Sequence, residues 1–122
     1  MKNKREKLVP HFYRDEFACK CKCGFDTVDA ALLALLIQVR NNFSAPVQIT
    51  SGCRCKTYNS RVGGEPRSWH TKGRAADIVV VGINPQAVYD WLASQFTTMY
   101  GFGSYPTFTH IDSRRTPARW RG

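Results

Sequence analysis

Four residues set in or beside two apolar runs carry most of the chemistry this sequence offers. Asp77 lies inside Ala75-Ala-Asp-Ile-Val-Val-Val81, and Asp112 lies inside Phe108-Thr-His-Ile-Asp-Ser113. A carboxylate placed in an apolar strand loses hydration and needs a cation, a donor or a metal to stay charged. His70 stands seven residues before Asp77, and His110 stands two before Asp112. Side chains alternate across a strand, so Phe108, His110 and Asp112 share one face, with the last two Cα atoms roughly 6.6 Å apart. Neutral imidazole and carboxylate are good zinc ligands, and a catalytic zinc keeps three protein ligands with one position open. His70, Asp77 and His110 make such a set if strands 75–81 and 108–113 are neighbours. The same spacing also allows a plainer arrangement, in which Asp77 pairs with an arginine and the histidines cap loops.

The elements that must position these residues read as follows. Asp26 or Thr27 opens a helix, and Leu32, Leu33, Leu35, Leu36, Val39 and Phe43 give it a wide apolar face. Asn41, Asn42 and Pro46 end it. Residues 47–50 alternate as a half-buried strand does. Lys56 to Val62 holds one or two helical turns, stopped by Gly63-Gly64. Residues 65–74 form a polar loop, and 75–81 is the clearest strand. Asn84-Pro85 is a cap followed by proline at the first helical position, and that helix runs to about Phe96. Residues 98–102 and 108–113 read as two more strands. The order predicts an α+β domain with a small antiparallel or mixed sheet and helices packed on one face. Residues 1–10 read as a flexible basic arm, and 11–122 as a single domain.

Composition narrows the field. The chain has 122 residues, one domain's worth, and too few for two independent cores. Its longest apolar run, Ala30 to Ile37, is far short of the roughly 20 residues of a membrane span. No apolar signal core follows the charged N-terminus, so synthesis in the cytoplasm is expected, with another carrier or cell lysis as the way out. The net charge of +9 suits an anionic partner. No zinc-finger spacing, aromatic RNA-binding signature or helix-turn-helix is present, so nucleic acid is not the expected partner. The five cysteines, at 19, 21, 23, 53 and 55, do not read as a secreted disulfide framework. Nor does Cys-x-Cys-x-Cys match the usual zinc-knuckle spacing, because alternate residues on a strand do not easily grip one tetrahedral ion. Reduced thiols, or one bridge between the two clusters, are the expectation.

Ser68-Trp-His70-Thr-Lys-Gly73-Arg-Ala75-Ala-Asp77 resembles the Ser-x-His-x-x-Gly-x-Ala-x-Asp signature of the zinc D-alanyl-D-alanine peptidases. That family comprises carboxypeptidases, peptidoglycan endopeptidases and phage endolysins, and its fold is shared by the Hedgehog signalling domain. Ile49-Thr-Ser-Gly-Cys-Arg54 resembles the family's Ile-Thr-Ser-Gly-Tyr-Arg, with Asn59 and Val62-Gly-Gly64 following. Phe108-Thr-His110-Ile-Asp112-Ser-Arg114 resembles the closing segment of one branch, between Gly101-Phe-Gly103 and Trp120. The likeness runs from about Phe12 to Trp120. It implies a Hedgehog/DD-peptidase-like fold, one Zn2+ per chain on His70, Asp77 and His110, and substrate binding by Arg54 and Ser68.

Two positions depart from the family. Many members carry Glu or Asp three residues before the last histidine ligand, where this chain has Thr107, which cannot be a base. Asp112 is the nearest suitable carboxylate and is the expected catalytic base. Cys53 stands where the family usually has tyrosine. The expected activity is zinc-dependent hydrolysis of a peptide bond in the peptidoglycan stem peptide or cross-bridge, by a monomer acting on the cell wall. Release by phage lysis machinery, or carriage on a phage particle, would bring it there. The rival expectation is an inactive wall- or protein-binding domain on the same scaffold.

Overall fold

Alternation of side chains across one strand organises the molecule. In β4 (Ala75–Val80), Ala76, Ile78 and Val80 are buried on one side of the sheet, and Asp77 projects from the other. The structure is a computed structural model and describes residues 5–122. Its main sheet has the order β3-β4-β6-β5-β7, with β3 at Val47–Ser51, β5 at Gly101–Ser104, β6 at Thr109–Asp112 and β7 at Ala118–Arg121. All pairings are antiparallel except β5 with β7, which is parallel, so the sheet is mixed.

The register decides what meets what. Asp77 stands opposite His110, His110 opposite Gly103, and Gly103 opposite Trp120, which makes one row across four strands. Ala75, Asp112, Gly101 and Ala118 form the next row on the same face. The opposite face carries Ile78, Phe102 and Ile111, and helices α1 (Ala30–Phe43) and α3 (Pro85–Gln95) pack there. Leu32, Leu35, Leu36 and Val39 of α1 are buried there with Val88 and Leu92 of α3. Truncating one such leucine to alanine typically costs about 2–5 kcal/mol. The α+β class, the mixed sheet and the long helices on one face agree with the sequence reading. Among the described residues, no helix is long and apolar enough to cross a membrane.

Several boundaries differ, for local reasons. Helix α1 is capped by Asp29, whose side chain accepts from the Leu32 N–H at 3.2 Å, and not by Asp26 or Thr27. The Asp29 N–H donates instead to the Gly73 carbonyl, which ties the helix start to the functional loop. The expected strand at 98–102 begins only at Gly101, because Tyr100 sits at φ +70 and breaks the extended run. Strand β7 has no counterpart among the strands expected from the sequence. A small hairpin of β1 (Lys7–Val9) and β2 (Phe12–Tyr13) also exists, so Lys7–Val9 is structured although it lies within the expected arm. Residues 1–4 of that arm lie outside the described residues.

Candidate metal centre and its cavity

His70 reaches the polar face of the sheet from a single 3-10 turn, Trp69–Lys72. Ser68 caps this turn, its Oγ accepting from the His70 N–H at 3.2 Å. Gly73 ends it at φ +68, a left-handed conformation that suits glycine. A Cβ there would also crowd the Thr27 carbonyl. The six residues between His70 and Asp77 are therefore spent on finishing one tight turn, reversing at glycine and entering β4.

Three donor atoms converge. His70 Nε2 lies 3.3 Å from Asp77 Oδ1, and His110 Nδ1 lies 3.0 Å from the same oxygen. All three residues are buried, and their ligand atoms lie within 4.8 Å of one another. The outer nitrogen of each ring is held by the protein. His70 Nδ1 is 2.7 Å from the Gly52 carbonyl, and His110 Nε2 is 2.8 Å from Asp112 Oδ2. A carbonyl or carboxylate there takes an N–H from the outer nitrogen, which leaves the inner nitrogen a bare lone pair. Two imidazole lone pairs and a carboxylate aimed at one point fit a divalent metal with an open fourth position.

The charges reinforce this arrangement. Burial alone would raise the Asp77 carboxyl, but with the rings protonated, hydrogen bonds and charge from His110 and His70 hold it well below the usual carboxylate range. Burial disfavours protonation of His110, yet Asp112 and Asp77 on either side raise its pKa. Burial likewise pushes Asp112 up, and His110 and Arg114 outweigh it and keep the group anionic.

His70, Asp77 and His110 form the floor of an open cavity of about 620 Å3, with Arg54, Ser68 and Trp69 on its wall. The Arg54 side chain donates to Asn59 Oδ1 at 3.2 Å and to Ser51 Oγ at 3.3 Å, and its Nη2 is 3.5 Å from Asp77 Oδ2. Its own N–H donates to the His70 carbonyl. Arginine, ligand loop and ligand strand are thus locked to one another.

A family model described as Peptidase M15 matches residues 10–112. The chain belongs to the peptidase M15 family. The peptidoglycan L,D-endopeptidase MepK of Escherichia coli (strain K12) is 33% identical over 118 residues, a match covering 89% of this chain and 60% of that protein. MepK of Shigella flexneri matches to the same extent. The chain therefore spans 60% of the length of these curated relatives.

Five of the six site residues expected from the sequence line the cavity of this M15 chain: Arg54, Ser68, His70, Asp77 and His110. The sixth, Asp112, does not. It is 0% exposed and sits behind His110. Its Oδ1 accepts from Arg114 Nε at 2.8 Å, and its Oδ2 accepts from Arg114 Nη2 at 2.7 Å besides facing His110. The sequence placed His110 and Asp112 on one strand face, and they are on one face. Spacing alone does not say which of them stands nearer the cavity.

Three contributors carried no role in the sequence reading. Asn59 is buried and bridges Arg54 to the Glu65 carbonyl, which it reaches at 2.7 Å. Its place in the family resemblance, after Ile49-Thr-Ser-Gly-Cys-Arg54, was its signal; the structure shows it buried in the short helix α2 (Lys56–Arg61). Arg114, two residues beyond Asp112 in an extended run, was readable as its partner by the same alternation that paired His110 with Asp112. Trp120 packs its indole on His110, with ring centroids 5.0 Å apart. Its strand was hidden by the charges of Ala118-Arg-Trp-Arg121.

Proposed function

We propose that this chain is a zinc-dependent peptidase domain that hydrolyses a peptide bond in the peptidoglycan stem peptide or cross-bridge. The observation that carries the proposal is the convergence of His70 Nε2, Asp77 Oδ1 and His110 Nδ1, with both outer ring nitrogens already engaged. Zinc held by those three atoms would supply Lewis acidity to the scissile carbonyl and to the water that attacks it.

The chain's own residues do the rest. Arg54 presents a fixed guanidinium at the cavity wall, suited to a peptide carboxylate or to the oxygen that gains charge as the carbonyl is attacked. The Ser68 hydroxyl oxygen accepts from the His70 N–H, and its own proton is available to a substrate carbonyl. Trp69, Tyr105, Phe108 and Trp120 add flat apolar wall against which an extended peptide can lie. Asp112, sealed behind His110, orients that ring and does not face the attacking water. Glu65 is the other carboxylate lining the cavity among the described residues, and we assign it the role of accepting the water's proton.

The relatives bear on the substrate. MepK is named for an endopeptidase acting on peptidoglycan, and a basic chain suits a wall polymer rich in carboxylates. Incubating the purified chain with isolated cell wall and identifying the released muropeptides by mass spectrometry tests the proposal. Release that stops with chelator and returns with zinc is the expected result. Wall binding without any release would identify an inactive binding domain instead.

A further inference from the structure

Cys19, Cys21, Cys23 and Cys55 place their four sulfurs within 4.8 Å of one another, at a position formed by residues other than those of the His-Asp-His centre. Cys19 and Cys21 sulfurs are 3.4 Å apart and Cys21 and Cys55 sulfurs 3.5 Å, and all five cysteines of the chain are free thiols. Four sulfurs at about 2.3 Å from one tetrahedral zinc stand roughly 3.8 Å apart, inside the observed range. We infer that these four cysteines bind a second, structural zinc ion.

The sequence argued against such a site on the assumption that Cys-x-Cys-x-Cys is strand-like. It is not. Residues 17–24 form turns, with Lys22 at φ +65 and Gly24 at φ +94. Two left-handed residues curl the segment so that alternate side chains meet, where an extended chain would hold them on a line. The Lys22 N–H donates to the Cys19 carbonyl, and the Cys19 N–H donates to the Phe25 carbonyl, which closes the loop on itself.

Two backbone donors already point at the sulfurs. The Cys55 N–H donates to Cys19 Sγ at 3.3 Å, and the Tyr58 N–H donates to Cys55 Sγ at 3.4 Å. Such N–H···S contacts stabilise thiolate over thiol and are the outer support a metal-bound sulfur needs. A zinc with four thiolates carries net negative charge, and Lys20, Lys22 and Lys56 each adjoin one of the four cysteines in sequence. Cys53 takes no part, since its thiol is buried and donates to the Thr27 carbonyl. The set is thus four of five cysteines, chosen by position.

The consequence for the molecule is mechanical. An ion there would join the N-terminal loop to Cys55, the residue after Arg54. The Cys53 N–H already donates to the Phe17 carbonyl, and the Gly52 carbonyl holds His70. The segment that anchors one ligand of the first centre and carries its arginine would be pinned by the second ion. The expectation of one zinc per chain thereby becomes an expectation of two. Zinc binding replaces the four thiol protons, and no oxidant or reductant is involved.

Metal analysis of the full chain, expressed with zinc and purified under reducing conditions, tests this inference. About two equivalents are expected in the wild type, and about one in C21S/C23S and in H70A/H110A, since each pair removes one site. Loss of the equivalent from H70A/H110A alone bears on the proposed catalytic centre, and loss from C21S/C23S alone bears on this one. Cobalt substitution gives a second measurement that survives poor folding of the cysteine variant. Thiolate-to-cobalt charge-transfer absorption should appear in the wild type and in H70A/H110A. One equivalent of zinc in the wild type with no sulfur-cobalt absorption would overturn the inference. So would iron in place of zinc, or a wild-type mass lighter by two hydrogens from a disulfide.

Discussion

Asp112 holds the outer nitrogen of His110 at 2.8 Å, opposite the inner nitrogen that faces Asp77 at 3.0 Å. Arg114 grips both oxygens of the same carboxylate, so the ring is aimed by a buried, rigid pair. A residue so placed acts through His110. Asp112→Asn should therefore weaken zinc binding by about 10–100-fold, and activity should return at excess zinc. A proton acceptor would behave differently, losing about 100-fold or more in turnover at every zinc concentration. Rate measured against added zinc separates the two outcomes.

Gly101 is the next consequence of that packing. It pairs with Asp112 across β5 and β6, and a Cβ at Gly101 would collide with the Asp112 carboxylate and the Arg114 guanidinium. Neither group can retreat, because each is fixed by the other. Gly101→Ala should lower stability by about 1–3 kcal/mol, the usual cost of overpacking a filled site. It should also loosen zinc through His110. A urea midpoint equal to that of the wild type would show that the pair has room to move.

The candidate ligands, which the structure brings together, were legible in sequence because their chemistry is compressed. His70, Gly73 and Asp77 fall in one short window, and strand alternation links His110 to Asp112 without tertiary information. Asn84-Pro85 fixed the start of α3 for a similar reason, since a cap and a proline are local devices. What stayed hidden depends on partners distant in the chain. Strand β7 is a strand because β5 pairs with it in parallel, and its alternating arginines carry no apolar signal. The β1–β2 hairpin has only three and two residues in its strands, too few for periodicity to register. The curl of the cysteine loop did not show because it rests on the backbone of Lys22, a residue type that gives no warning of a left-handed turn.

Arg54 lines the cavity and reaches Asp77, and the two proposed roles, toward substrate and toward the metal centre, can be told apart. Its guanidinium lies 3.5 Å from Asp77 Oδ2 and is itself braced by Asn59 and Ser51. Removing one preorganised donor to a developing oxyanion typically costs about 10²–10³ in turnover. Arg54→Ala should lose that much in kcat/KM while keeping its zinc, because Asp77 retains both histidines. Lysine keeps the charge but not the fork, so Arg54→Lys should recover only part of the loss. Loss of zinc from Arg54→Ala would mean that the arginine serves the metal site first and the substrate second.

The proposed proton acceptor was reached by elimination, and the elimination can be checked. Thr107 occupies the position where many relatives in the resemblance carry an acid, and a hydroxyl cannot take a proton at neutral pH. Asp112 is fully buried behind His110. Asp77 is committed to both histidines and to Arg54. Glu65 remains as the exposed carboxylate on the cavity wall, on the loop whose carbonyl is held by Asn59. General-base assistance is typically worth about 10²–10⁴-fold, so Glu65→Gln should reduce turnover by that factor. An exposed side chain contributes little to folding, so zinc content and the thermal midpoint should not change. Glutamine keeps the shape and can still hydrogen-bond a water, which confines the effect to proton acceptance. Full activity in Glu65→Gln would clear the loop of a catalytic role and return the search to the carboxylates around His110, with Asp112→Asn at saturating zinc as the deciding comparison.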